Sequence, residues 1–326
     1  IRDTVQKDYE YTATGSVGTE TISIDKIPFS TKYTYDLQGN TIVIVYPSGV
    51  AVTYMYGAQG PVQVFVDGKH FVQNISYNDI GAPTYIERVN GVTTYHAYDP
   101  LKLYQLTKQI TTTPNGTVQD TTYTYDSRGL IIQKDTAVSG YEEKVQYVYD
   151  DLLRLISAES IDAQGNTRYS HVYTYSPVGS VTSNNKTLYT YKTHPHAPIA
   201  IDATPITYDK NGNRTSFGKK IYSYTYKNEL ASYKDSVYSA LYTYDDAGSR
   251  VRVEDTTDTM FPNKYTMYDN STNTYTNYIY LGSTLIGQTD TQTPDITNIF
   301  TNYLSSSEAT TDTQGNLLTY SIYEPY

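Results

Sequence analysis

The chain has 326 residues, 39 of them Tyr, with no Cys and no Trp, and 24 Lys+Arg against 34 Asp+Glu give a formal net charge of −10. Disulfide frameworks and thiolate metal sites are excluded, and no apolar run approaches the roughly 18 residues of a membrane helix. No Lys or Arg follows Lys264, which leaves no basic stripe for nucleic acid.

Aliphatic residues are sparse, so tyrosine must supply much of the core. Its ring buries a large area and its hydroxyl needs only one partner. The many Thr that accompany it favour strand over helix.

Residues 1–32 lack internal repetition and read as a cap or as flanking strands. Residues 33–299 repeat a unit: a Tyr-x-Tyr pair, or a variant of it, followed by a polar turn. The copies run Tyr33-Thr-Tyr35-Asp36-Leu-Gln-Gly39, Tyr54-Met-Tyr56-Gly-Ala-Gln-Gly60, Ile75-Ser-Tyr77-Asn78-Asp-Ile-Gly81 and Tyr98-Asp99-Pro100. They continue with Tyr123-Thr-Tyr125-Asp126, Tyr147-Val-Tyr149-Asp150, Tyr173-Thr-Tyr175-Ser, Ile206-Thr-Tyr208-Asp209, Tyr224-Thr-Tyr226 and Tyr242-Thr-Tyr244-Asp245. The expected anchors are therefore Tyr35, Tyr56, Tyr77, Tyr98, Tyr125, Tyr149, Tyr175, Tyr208, Tyr226 and Tyr244, the first four spaced 21 apart.

Two strands of about seven residues and two turns consume such a period. Tyr-x-Tyr places both rings on one face of a strand. Asp bonds its own backbone and Gly or Asn accepts positive φ, so Asp-x-x-Gly-Asn, as at Asp36, Asp162, Asp209 and Asp312, is turn chemistry. The predicted fold is all-β: antiparallel hairpins stacked into a coiled sheet, a partial shell or a barrel. Asp151 to Ser157 is the one short stretch with helical spacing. Closed as an untilted ring, about 30 strands at roughly 4.8 Å would span about 45 Å.

No catalytic constellation emerges, and we expect a non-enzyme with no cofactor and no bound metal. His194-Pro-His196 is the one close histidine pair, too few ligands for zinc. Asp209-Lys-Asn211-Gly-Asn213 has half the oxygens of a calcium loop and no closing Glu. Glu142-Glu143, Asp150-Asp151 and Asp245-Asp246 are adjacent, and neighbours on a strand face opposite ways, which defeats a glycosidase pair. His70, His96 and His171 are isolated, and Lys219-Lys220 with Arg250-x-Arg252 are too sparse for a polyanion.

The Tyr-Asp-x-x-Gly pattern in phase over about Tyr33 to Gln288 resembles the YD repeat of the Rhs family, which includes polymorphic toxins, shell components of insecticidal toxin complexes, wall-associated proteins and teneurins. Residues 300–326 resemble the start of the Rhs-associated core, with Tyr303-Leu-Ser-Ser306 and Tyr323-Glu-Pro-Tyr326 in place of the usual His-Leu-Gly-Ser and Tyr-Asp-Pro-Phe-Gly. The resemblance implies a secreted or cell-surface scaffold that encapsulates or presents a C-terminal toxin or effector. Its implied partners are that effector or further shell repeats of the same polypeptide, with no nucleic acid and no membrane span. The alternative it leaves is an adhesion module that binds glycans or a protein.

Overall fold

The computed structural model describes residues 5–138, 140–192, 194–292 and 295–325. Thirty-one strands form one antiparallel sheet, and the only helical element among the described residues is the 3-10 turn Pro100–Lys102. Strands pair with their sequence neighbours, from Val5–Tyr11 against Val17–Ile24 to Ser307–Thr311 against Leu317–Tyr320. This is the stack of hairpins that the repeat period predicts. Among the described residues no pairing joins the first strand to the last, so the sheet is not closed into a barrel.

Residues 5–32 supply Val5–Tyr11, Val17–Ile24 and the first part of Ile27–Tyr35, which are ordinary strands of the same sheet. Asp151 to Ser157 is not helical. Its first residues form the turn after Asp150, where Leu153 takes φ 63°, and the strand Leu155–Asp162 follows.

The chain divides into two compact units. One gathers Ile1–Tyr123, Thr136–Tyr141 and Thr259–Tyr326; the other gathers Thr124–Asp135 and Glu142–Asp258. These limits cut across the divisions read from the repeat pattern, because early and late repeats pack together.

In the first unit two runs of sheet meet face to face. Ile44, Tyr46, Val52, Tyr54, Val64, Val66, Phe71, Val72, Ile75 and Ile86 from the early run form one core with Ile279, Leu281 and Ile286 from the late run. Each such side chain, fully buried, contributes about 1.5–3 kcal/mol. Two phenols thread the interface: Tyr46 donates to the Tyr278 carbonyl at 2.9 Å and Tyr54 to the Tyr280 carbonyl at 2.7 Å. Gly287 permits the close approach, since a Cβ there would lie 2.7 Å from Phe71 Cζ. The two runs of this unit thus share one packed core.

Further along the same interface the contacts turn polar. Gln109 Nε2 and Gln119 Nε2 both donate to the Thr301 carbonyl, at 2.7 and 3.1 Å, and Gln119 also donates to buried Glu308 at 2.6 Å. Arg88 is buried with its guanidinium 5.9 Å from the centre of the Phe71 ring and 4.7 Å from that of Phe300. Burial lowers its pKa to about 10.

The second unit has far less covered surface. Its aliphatic and aromatic cluster is Leu155, Ala158 and Tyr173, flanked by Tyr147, Tyr149 and Tyr175.

Within the repeat the two tyrosines differ. The first position is buried at Tyr54, Ile75, Tyr123, Tyr173 and Ile206 and half-buried at Tyr33, Tyr147 and Tyr242. The second is half-buried at Tyr56, Tyr77, Tyr175 and Tyr208. We predict that Tyr54→Ala lowers unfolding free energy by about 3–5 kcal/mol and Tyr54→Phe by about 1 kcal/mol, with Tyr56→Ala costing less than Tyr54→Ala in denaturant titrations. Equal costs at the two positions would contradict this division of roles.

Candidate functional site: the strapped sheet and its faces

The turn is built by one carboxylate. Asp36 Oδ1 accepts from the backbone N–H of Gln38 and of Asn40, both at 2.9 Å, and Asp36 Oδ2 accepts from Asn40 Nδ2 at 2.8 Å. Gly39 donates to the Asp36 carbonyl and takes φ 87°, the left-handed residue that follows a type I turn and forms a bulge. The register shift between Thr34 and Tyr35 is that bulge. Asp162, Asp209 and Asp312 repeat the arrangement, and Asn78 and Asn302 build it with an amide oxygen.

The second tyrosine reaches across its own hairpin. Tyr35 donates to the Val17 carbonyl at 2.9 Å, Tyr56 to Thr41 at 3.2 Å, Tyr77 to Pro61 at 2.5 Å and Tyr98 to Pro83 at 3.1 Å. Tyr149 donates to Ile131, Tyr175 to Leu155 and Tyr208 to Pro198 in the same way. In nearly every copy the acceptor is the first residue of the preceding strand, beyond the last ladder pair. Burial raises the phenol pKa at Tyr56, Tyr98 and Tyr208, and pushes Tyr77 up to about 12.

Tyr125 and Tyr244 sit half-buried at the ends of Gly116–Tyr125 and Ser239–Tyr244. Tyr226 is a correction. It lies in a turn, 80% exposed, and Tyr224 makes the strap, donating to the Arg214 carbonyl at 3.0 Å. The cause is that Thr225 occupies the Asp position of that turn and accepts from Lys227 N and Glu229 N, so the repeat is shifted by two residues. Sequence reading also passed over Tyr191 and Tyr323, which strap to Val181 and Ser307. Tyr189-Thr-Tyr191 carries the signal but lacks the following Asp-x-x-Gly.

The residues weighed for chemistry are dispersed. His196 Nδ1 lies 3.1 Å from Ser180 Oγ in an exposed loop, and no group of three or more metal-ligating residues occurs among the described residues. Asp209 spends its oxygens on Asn211 and Asn213. Glu143 is buried and accepts from Ser160 Oγ, whereas Glu142 is exposed. Asp245 and Asp246 divide in the same way, and Asp150 is half-buried beside exposed Asp151. The His70 ring centre lies 4.2 Å from that of Phe65 with the planes tilted by 42°, His171 Nδ1 lies 2.7 Å from Asn185 Nδ2, and burial lowers the pKa of His96 to about 4. Arg252 is buried against Asp258 at 2.7 Å, and Arg250 lies over Tyr242. Lys219 and Lys220 flank the exposed Gly218 turn.

The second unit presents two unlike faces. Cross-strand register places Val148 beside Ser157, Ser157 beside Val172, Thr174 beside Ser183 and Ser183 beside Leu188. It then places Thr207 beside Ser216, Ser216 beside Ile221, and Ser232 beside Leu241. This face is hydroxyl-rich, and its Val148, Val172, Leu188, Ile221 and Leu241 are each more than half exposed. The opposite face carries the tyrosines. Near its end Tyr222, Tyr233 and Tyr238 contact in series at 5.4 and 5.9 Å, with Tyr233 donating to Asp235 and Tyr238 to Asp255. Those bonds push both phenols up to about 12, and the Tyr233 hydroxyl first among its causes lowers Asp235 to about 2.

The chain shares its fold with part of the TcdB2-TccC3 structures. Over 97% of its length it superposes on a TcdB2-TccC3 crystal structure with a TM-score of 0.81 at 17% identity, covering 20% of that chain. TcdB2-TccC3 without its hypervariable C-terminal region gives 0.81 at 16% identity, covering 97% of this chain and 20% of that one. The Photorhabdus luminescens Tc holotoxin pore with the TccC3-D651A mutation gives 0.72 at 16% identity, covering 97% and 19%. This chain thus spans about a fifth of the length of those chains. Neither a protein-family model nor a curated protein sequence matches it.

The YD turn ties this fold to acid. Asn40, Asn166, Asn213 and Asn316 donate to Asp36, Asp162, Asp209 and Asp312 and hold these carboxyls below the usual range. A depressed folded pKa contributes stability above the unfolded value, about 3.9, and that contribution is lost as pH falls through the folded pKa. The thermal midpoint is expected to drop below about pH 4. Changing these four residues to Asn, as at Asn78 and Asn302, is expected to keep the neutral-pH midpoint and flatten the acid limb. An unchanged acid limb would show that other carboxylates govern it.

Proposed function

We propose that this chain is a non-catalytic wall segment of a YD-repeat shell, which encapsulates or presents an effector carried C-terminally in the same secreted or surface-displayed polypeptide. The observation that carries the reading is the economy of the motif. The Asp oxygens and second-position Tyr hydroxyls described above are spent on holding one hairpin to itself and its neighbours, which is scaffold chemistry. The shared fold with the TcdB2-TccC3 structures supports it. No helix among the described residues is long and apolar enough to cross a membrane.

The hydroxyl and aliphatic face of the second unit is the one we assign to the effector. Its spaced aliphatic groups offer weak contact to any polypeptide, and Glu159, Lys234 and Glu254 on the same face carry both signs of charge. Four substitutions test this: Val148→Ser, Val172→Ser, Ile221→Ser and Leu241→Ser. Each is expected to change stability by no more than about 0.5 kcal/mol, as exposed positions do. Together they should speed protease digestion of the effector segment in the full-length protein. If that segment is digested in the parent protein as fast as when isolated, the shell reading fails.

A second reading, adhesion to glycans, is favoured by the partly exposed Tyr222, Tyr233 and Tyr238 series with its flanking Asp235 and Asp255. Binding on a glycan array that Tyr238→Ala abolishes would support it. A blank array would remove it.

A further inference from the structure

Beside the turns at Asp67, Asn90 and Thr313 the two sheet runs of the first unit part around an open cavity of about 480 Å³. That is within the roughly 300–1,000 Å³ of small-molecule sites. Val50, Val66, Phe71, Val89 and Ile296 form its apolar wall. Gly287 lets the late run pack hard against Phe71, one of these wall residues.

The polar lining of the cavity sets carboxylates beside His70, Asn90, Thr289, Thr291 and Thr313. Asp67, Asp290 and Asp295 stand on it with one lysine, Lys69. Thr289 is a buried polar side chain of the lining, and so is Asn298, 2% exposed. Its Nδ2 already donates to Thr311 Oγ1 at 3.1 Å and to the Asp312 carbonyl at 3.0 Å, so what it brings to the cavity is its carbonyl oxygen. Asp67 uses Oδ1 for the Ala51 N–H and retains a second oxygen. An apolar floor, carboxylates in excess over cations and an amide acceptor suit a ligand with an apolar body and a positively charged donor head.

We propose that this cavity is a binding site for an organic ammonium group carried on an aromatic or branched aliphatic body, either a free amine or a lysine beside an apolar residue in a polypeptide. This rests on the cavity alone and is independent of the shell reading.

Calorimetric titration of the intact chain with phenethylammonium, 2-phenylethanol and 3-phenylpropionate tests it. The ammonium is expected to bind tightest, the alcohol more weakly and the carboxylate least. Asp295→Lys and Val89→Arg alter exposed positions at the cavity, and each is expected to weaken the ammonium probe on the order of fivefold or more with unchanged circular dichroism. Acetyl-Phe-Lys-amide separates the sources: binding as tight as that of the free amine points to a polypeptide, and much weaker binding points to a small amine. Equal binding of the three phenyl probes, no binding by any of them, or unaltered ammonium binding in both variants would overturn the proposal.

Discussion

A phenol hydroxyl closing on a backbone carbonyl of the adjacent strand is the contact on which this sheet depends. Each Asp-x-x-Gly turn brings a bulge at the strand end, and a bulge disrupts the ladder locally and strengthens the twist. The preceding strand begins there, so its first carbonyl falls beyond the last paired residue. The second tyrosine answers both problems. Its ring covers the widened corner and its hydroxyl satisfies the carbonyl. Without that bond the corner would hold an unsatisfied acceptor in a half-buried place, which is costly. Tyrosine fits this position because Phe lacks the donor.

Once corners are closed in this way, the outer faces of the strands are free to differ. In the first unit the face that carries Tyr54 also carries Ile44, Val52, Val64, Val66 and Ile75, and the late run covers it as a second layer. In the second unit the face opposite the tyrosines carries Ser and Thr with isolated aliphatics, and hydroxyls pair across strands, as in Thr174 with Ser183, Thr207 with Ser216 and Ser223 with Ser232.

The hairpins and their turns were legible because they are local: period, alternation and Asp-Gly chemistry all act within about 21 residues. Tyr226 was misplaced because Thr225 can do the work of Asp, and a motif keyed to Asp slips by two. The pairing of early with late repeats left a fainter trace. The unbroken apolar run Ile42 to Val45 is the pattern of a strand buried on both faces, yet nothing in it names Ile279 or Leu281 as what covers it. The buried Gln119–Glu308 contact was unreadable for the same reason, since its partners stand 189 residues apart.

That separation bears on how the chain is made. During synthesis, Ile44, Val64, Phe71 and the other inward residues of the early run leave the ribosome long before Ile279, Leu281 and Ile286 exist to cover them. At about 5–20 residues per second, the 135 positions between Tyr123 and Thr259 impose a wait on the order of ten seconds. Meanwhile the intervening hairpins can zip up one on the next, each with only local loops to close. The nascent molecule therefore passes through a period as a bare apolar sheet. Shelter by a chaperone during that period would act on yield without altering the finished protein.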